Sequence, residues 1–244
     1  MKRRIECSTI FLTLLLCTAN ASPVNPFLVT GFQGNSSYSA LFENLGGGLL
    51  QITLSNTGTV APSDETGVVG ALFFNLAGDT VLSPVSMSLG SGSVIVNGSG
   101  DPSPDWEYAA GISGPDGATQ GLSAAGYGLF GSGNFCSGSG CGNQLKGIDW
   151  GLVDSAYVPG SGNSSISGRP MIQDTAVFVL SGISDGFDPS TEISSVSAQY
   201  TASLTGTNLP GVDPPSVPEP ASYLLFAAGL VLMGTVGKKM RPKA

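Results

Sequence analysis

Short apolar runs, each cut off by glycine, asparagine, aspartate or serine, recur along the middle of this chain and restrict it to folds built from short extended segments. Leu49 to Leu54 (Leu-Leu-Gln-Ile-Thr-Leu) alternates apolar and polar side chains and stops at Asn56-Thr57-Gly58, a turn signal. Val68 to Leu76, Val94 to Val96 and Ala176 to Leu180 read the same way, and Val196 to Leu204 alternates through Ala198, Tyr200, Ala202 and Leu204. No amphipathic helical stretch of useful length accompanies them. With 36 Gly and 16 Pro in 244 residues, a long helical protein is excluded. Charged residues are 11% of the chain, but a hydrophobic fraction of 41% supports a packed core rather than a solvated, disordered chain. The expected fold class is all-β. The expected architecture is an antiparallel β-sandwich, with a jelly roll as one form of it, because neither sheet could bury its apolar face alone. Residues 22–209 suffice for one such domain.

The formal net charge of −8 hides three unlike pieces. Lys2, Arg3 and Arg4 open the chain, and Lys238, Lys239, Arg241 and Lys243 close it. Between Ser22 and Val217 only Lys146 and Arg169 stand against 15 acids, so the body carries −13. Such a surface repels phosphate backbones and anionic lipid, which argues against a nucleic-acid partner. The chain contains no His, so imidazole metal ligands and any Ser-His or Cys-His nucleophile pair within the chain are excluded.

Both ends read as address segments. The basic start runs into Ile10 to Cys17, an apolar stretch, and then Ala19-Asn20-Ala21, whose small-x-small form suits signal peptidase; residues 1–21 are therefore expected to be a signal helix cut after Ala21. Cys17 raises a lipoprotein reading, but Leu16 stands where a small residue is needed before an acylated cysteine. At the other end, residues 221–237 form a second apolar run. As a helix its 17 residues would be about 25 Å long, just able to span a bilayer if flanking residues snorkel. The basic tail 238–244 would stay cytoplasmic, leaving the acidic body outside the inner membrane.

Immediately before that run lie Val217-Pro218-Glu219-Pro220, then Ala221-Ser222 and the Leu-rich stretch with Gly229. This arrangement resembles the PEP-CTERM sorting tail of Gram-negative bacteria that make extracellular polysaccharide, a likeness covering about the last 28 residues. The resemblance implies that a membrane-embedded exosortase cuts at or near Pro218-Glu219-Pro220 and lets the body reach the cell surface or matrix. The chemistry is consistent, since the prolines keep residues 210–220 extended and open to a protease. The alternative for 210–220 is a stiff linker before a permanent anchor. The body's Asn-Thr-Gly turn, its Gly-Val-Val-Gly-Ala-Leu-Phe-Phe-Asn-Leu run and its late Ala-Gln-Tyr-Thr-Ala-Ser-Leu resemble, more loosely, the bodies of other exosortase-dependent surface proteins.

Within the body, Gly111 to Gly142 is rich in Gly and Ser and reads as a long surface loop; it lacks the Lys-Ser/Thr or the helix start of a phosphate loop. Cys136 and Cys141, the two cysteines left after signal removal, are expected to form a disulfide in an oxidising compartment. Closing so small a ring would contribute roughly 2 kcal/mol, so it would serve to shape the loop. Two thiolates alone are a poor metal site, and the spacing is not C-x-x-C. Asn35, Asn97 and Asn163 stand in N-x-S patterns, which in a bacterium are most simply turns.

Two acidic clusters are candidates for weak calcium binding, Asp101, Asp105 and Glu107 beside Trp106 and Tyr108, and Asp185, Asp188 and Glu192 in a Gly/Pro turn; solvated turn acids are the plainer reading of both. Calcium is the one cofactor these clusters would take. A glycosidase would need two of these carboxylates to face one another across a cleft, about 5 to 10 Å apart. A carbohydrate-binding module would need Trp106 or Trp150 flat and exposed. The reading that joins these observations is a secreted, exosortase-processed, non-enzymatic protein of the cell surface or extracellular matrix, structural or adhesive, with biofilm polysaccharide as a partner.

Overall fold

A computed structural model of the protein describes residues 26–78, 80–130 and 148–212. The expected signal helix, membrane-spanning helix, Cys136–Cys141 disulfide and Val217-Pro218-Glu219-Pro220 motif lie outside the described residues, as does the end of the Gly/Ser-rich stretch. Among the described residues, no helix is long and apolar enough to cross a membrane.

The chain is all-β. In order, β1 is Phe27–Gln33, β2 Ser36–Gly46, β3 Leu49–Asn56, β4 Val69–Leu76, β5 Ser83–Leu89, β6 Val94–Val96 and β7 Glu107–Ala110. Then follow β8 Gln120–Ser123, β9 Leu152–Val153, β10 Met171–Gln173, β11 Thr175–Ser181, the one-turn helix α1 Pro189–Glu192, β12 Ile193–Tyr200 and β13 Asn208–Pro210. The first sheet has the order β1-β2-β3-β11-β5. The second runs β13-β12-β4-β9-β10-β6, and β4 also pairs β8, which pairs β7. Pairing is antiparallel except for the short β9–β10 contact. Three strands consecutive in sequence thus lie side by side in one sheet, which departs from the sheet-to-sheet alternation of a jelly roll. The cause is local: two-residue connections, Gly34-Asn35 and Gly47-Gly48, leave each strand no way to cross to the other layer.

Alternation decides which faces meet. In β2, Tyr38, Ala40 and Phe42 are fully buried, and in β3 Leu50, Ile52 and Leu54 are fully buried, with polar neighbours facing out. They pack with Leu72 and Phe74 of β4 and Ala198 and Tyr200 of β12 in one core between the sheets. Phe42 and Phe74 meet edge-to-face across it, ring centroids 5.8 Å apart. β4 does not alternate, because its other face is covered too: Ala71 and Phe73 pack with Ala118 and Phe130 in a separate cluster. That explains the unbroken Val-Gly-Ala-Leu-Phe-Phe run.

Three boundaries differ from the sequence expectations. The Gly/Ser-rich segment contains a buried strand, β8, in a place read as surface loop. The glycine is what allows it: a Cβ on Gly121 would sit 3.0 Å from the Leu72 carbonyl oxygen, the Phe130 ring and the Phe73 ring. The last long strand stops at Tyr200 rather than Leu204, since Thr201 adopts a φ of 77° and the chain turns back so that the Tyr200 amide donates to the Thr207 carbonyl at 2.8 Å. Pairing also continues past 209, as Val212 bridges Thr30 of β1.

Phe42→Ala should destabilise the fold by about 3–5 kcal/mol, whereas Phe32→Ala, at a side chain 75% exposed, should change stability by less than about 0.5 kcal/mol in urea titrations.

Candidate functional site

Of the predicted acidic trios, Asp101, Asp188 and Glu192 hold local structure. Asp101 is exposed, and its Oδ1 accepts the Ser103 amide at 2.9 Å and hydroxyl at 2.6 Å. Those bonds, hydroxyl first, hold its carboxyl below the ordinary value. Asp105 ends a short 3₁₀ turn, its amide on the Pro102 carbonyl at 3.0 Å. Glu107 faces solvent because β7 alternates, sending Trp106 and Tyr108 inward. In the second trio, Asp188 caps α1, its Oδ1 accepting the Ser190 amide at 3.0 Å, while Glu192 Oε1 returns the favour to the Asp188 amide at 3.0 Å. Asp185 stays exposed in the preceding turn. Among the described residues, no three Asp, Glu, Cys or His side chains gather where they could hold a metal ion.

The tryptophans also differ from the exposed placement a sugar platform requires. Trp106 is 8% exposed and Trp150 9%. The Trp106 ring packs on Phe178 of the facing sheet at 5.0 Å, and its Nε1–H donates to the Trp150 carbonyl at 3.0 Å. Trp150 presents that carbonyl from a φ of 66°, held there by its own amide donating to Pro170 at 2.6 Å. Both rings therefore belong to the core, where an indole N–H has found its acceptor.

Two clefts remain. One, of about 330 Å³, lies where β1 meets β12 and β13 and is lined by Phe27, Val29, Ile193, Val196 and Pro210, with Asp116 on its rim. The second, of about 160 Å³, is polar and sits at the end of the sandwich where the β1–β2 turn approaches β9. Its lining includes Asn35, Asn56, Asp64, Thr66 and Asp154. Here the two sheets are laced together. The Asn56 amide donates to the Asp174 carbonyl at 3.0 Å, the Asp174 amide to Val153 at 2.9 Å, and Asn56 Nδ2 to the carbonyls of Leu152 and Gly67, both at 2.9 Å.

Asp154 is the unexpected member of this cleft. It is 2% exposed, follows β9 directly and accepts the Ala156 amide on Oδ1 at 2.8 Å. Burial pushes its carboxyl up from 3.8, the Ala156 and Tyr157 amides pull it partly back, and the Asp174 carboxylate raises it further. Asp64, a half-buried residue lining the same cleft, is displaced the other way by the hydroxyl and amide of Thr66. Nothing in the sequence around Asp154, Leu-Val-Asp-Ser-Ala-Tyr, separates it from an ordinary turn aspartate. The available signal is Asn56-Thr57-Gly58, which reads as a turn and also brings an amide side chain to the cleft.

Compared with known proteins, the chain matches no family model, no curated protein and no solved structure.

Because the folded chain holds the Asp154 proton to a higher pH than the unfolded chain does, the stability linked to this group is present below pH 3.8 and is lost as pH rises through the raised value. In calcium-free buffer, Asp154→Asn should therefore gain stability relative to the unmutated protein as pH climbs above 3.8, read by urea denaturation at successive pH values. Parallel pH curves for the two proteins would contradict this assignment.

Proposed function

We propose that the chain is a secreted, exosortase-processed protein of the cell surface or extracellular matrix, whose β-sandwich body has a structural or adhesive role beside exopolysaccharide in a biofilm. The observation that carries the reading is the order at the C-terminus, Val217-Pro218-Glu219-Pro220 against the apolar run 221–237 and the basic residues 238–244, on a chain that opens with a signal-like segment cut after Ala21. A precursor helix would hold the body at the inner membrane until exosortase cuts near the Pro-Glu-Pro motif. An acidic body of this kind would associate with neutral polysaccharide, or with anionic polymer through bridging cations, rather than with nucleic acid. The use of Asp101 in a turn, of Asp188 and Glu192 in capping α1, and of both tryptophans as core favours this reading over a glycoside-active or sugar-stacking one.

Intact mass of the mature protein from cells with and without exosortase tests it. The expected result is a C-terminus near residues 217–220 only when exosortase is present; the same C-terminus in both strains would remove the sorting claim.

A further inference from the structure

The polar cleft at the end of the sandwich holds an arrangement of oxygens that the sorting reading does not use. Gly58 is buried, and a Cβ built on it would lie 3.0 Å from Asp154 Oδ2, 3.2 Å from Asn56 Oδ1 and 3.3 Å from the Asn35 carbonyl oxygen. Three oxygens from three separate segments thus converge beside the Gly58 α-carbon, a close approach that the missing side chain allows. Their identity is fixed by the hydrogen bonds around them. Both Asn56 Nδ2 protons are donated, to Gly67 and Leu152, so Oδ1 is the atom turned toward Gly58, whose amide it accepts at 3.1 Å. Asp154 Oδ1 is engaged by the Ala156 amide at 2.8 Å, and Oδ2 is the oxygen turned toward Gly58. Asp64 lines the same cleft, its Oδ1 engaged by Thr66 at 2.9 and 2.6 Å.

Charge makes the arrangement informative. Asp154 is almost wholly buried, and the single basic side chain among the described residues, Arg169, pairs with Asp149 at 2.8 Å instead. A buried carboxylate is strongly unfavourable unless a proton or a positive charge compensates it. A proton on Asp154 donates to one acceptor and leaves the others facing one another. A cation satisfies all of them together. The donor set is oxygen only, from carboxylate, amide and backbone carbonyl, supplied by the β1–β2 turn, the end of β3 and the segment after β9, and the cleft of about 160 Å³ has room for water to complete the coordination. That combination suits a hard ion of high and adaptable coordination number.

We infer that Asp154, Asn56 and the Asn35 carbonyl, with Asp64 at the cleft mouth, form a calcium site that clasps the β1–β2 turn and the end of β3 to β9 of the opposite sheet. The site differs from both acidic trios that the sequence suggests. A bound ion would tie the two layers at an end where hydrogen bonds already lace them.

The full-length chain, stripped with EDTA and titrated with CaCl2, tests the site by thermal melting and by calorimetry. The expected result is one calcium per chain and a rise in Tm of about 5 °C once calcium greatly exceeds its Kd, with a smaller rise in MgCl2. Asp154→Asn should melt no lower than the unmutated chain without calcium, because an uncompensated buried charge is gone, and should lose the calcium response. Gly58→Ala, which fills the cradle, should blunt that response as well and serves if the first variant misfolds. A Tm indifferent to calcium in the unmutated chain, or a full response in both variants, would overturn the inference. The outcome is separate from sorting, since a calcium response can be read whether or not the tail is cut.

Discussion

Everything in this structure depends on two sheets burying their apolar faces against each other. A single sheet with Tyr38, Phe42, Ile52 and Phe178 on one side would expose that face to water, so the first sheet requires Leu72, Phe74, Ala198 and Tyr200 opposite it. The strands are short and glycine-rich, and turns such as Gly34-Asn35 contribute little stability of their own. Cohesion therefore comes from the interior, where Phe42 meets Phe74 and Trp106 meets Phe178 across the layers. Because the core supplies it, the surface acids are free to serve as caps and turns, as Asp101, Asp64 and Asp188 do.

The parts of the fold legible in the sequence are those in which side chains alternate or run apolar without a break. β3, β4, β6 and β11 fall within a residue or two of their expected positions because their patterns state one buried face, or two in the case of β4. β8 is hidden because Gln120-Gly121-Leu122-Ser123 looks like the loop around it, and only the close approach of Leu72, Phe73 and Phe130 to Gly121 explains why a small residue belongs in a buried strand. β9, of two residues, is too short for any pattern. The same limit governs the cleft. Clusters of acids are visible in sequence, so Asp101, Asp105 and Glu107 attract notice, whereas Asp154 stands apart and becomes distinctive only when folding removes it from water and sets Asn56 and Gly58 beside it. Trp106 shows the converse. A tryptophan among acids suggests a sugar platform, but Trp106, just before β7, turns into the core, onto Phe178 and the Trp150 carbonyl.

Charge links this body to its proposed location. With Arg169 the single basic side chain among the described residues, and that one engaged by Asp149, the described residues carry a net negative charge. Such a surface suits a compartment where divalent cations and polysaccharide are the abundant neighbours. In the proposed reading, the two basic, apolar ends of the chain would be address segments removed on the way there. The central claim is that the sandwich body ends outside the cell, freed from its C-terminal span. External protease applied to intact cells carrying an epitope within the body tests it most directly: the account predicts loss of the epitope without lysis, and an epitope protected until the outer membrane is opened would contradict it.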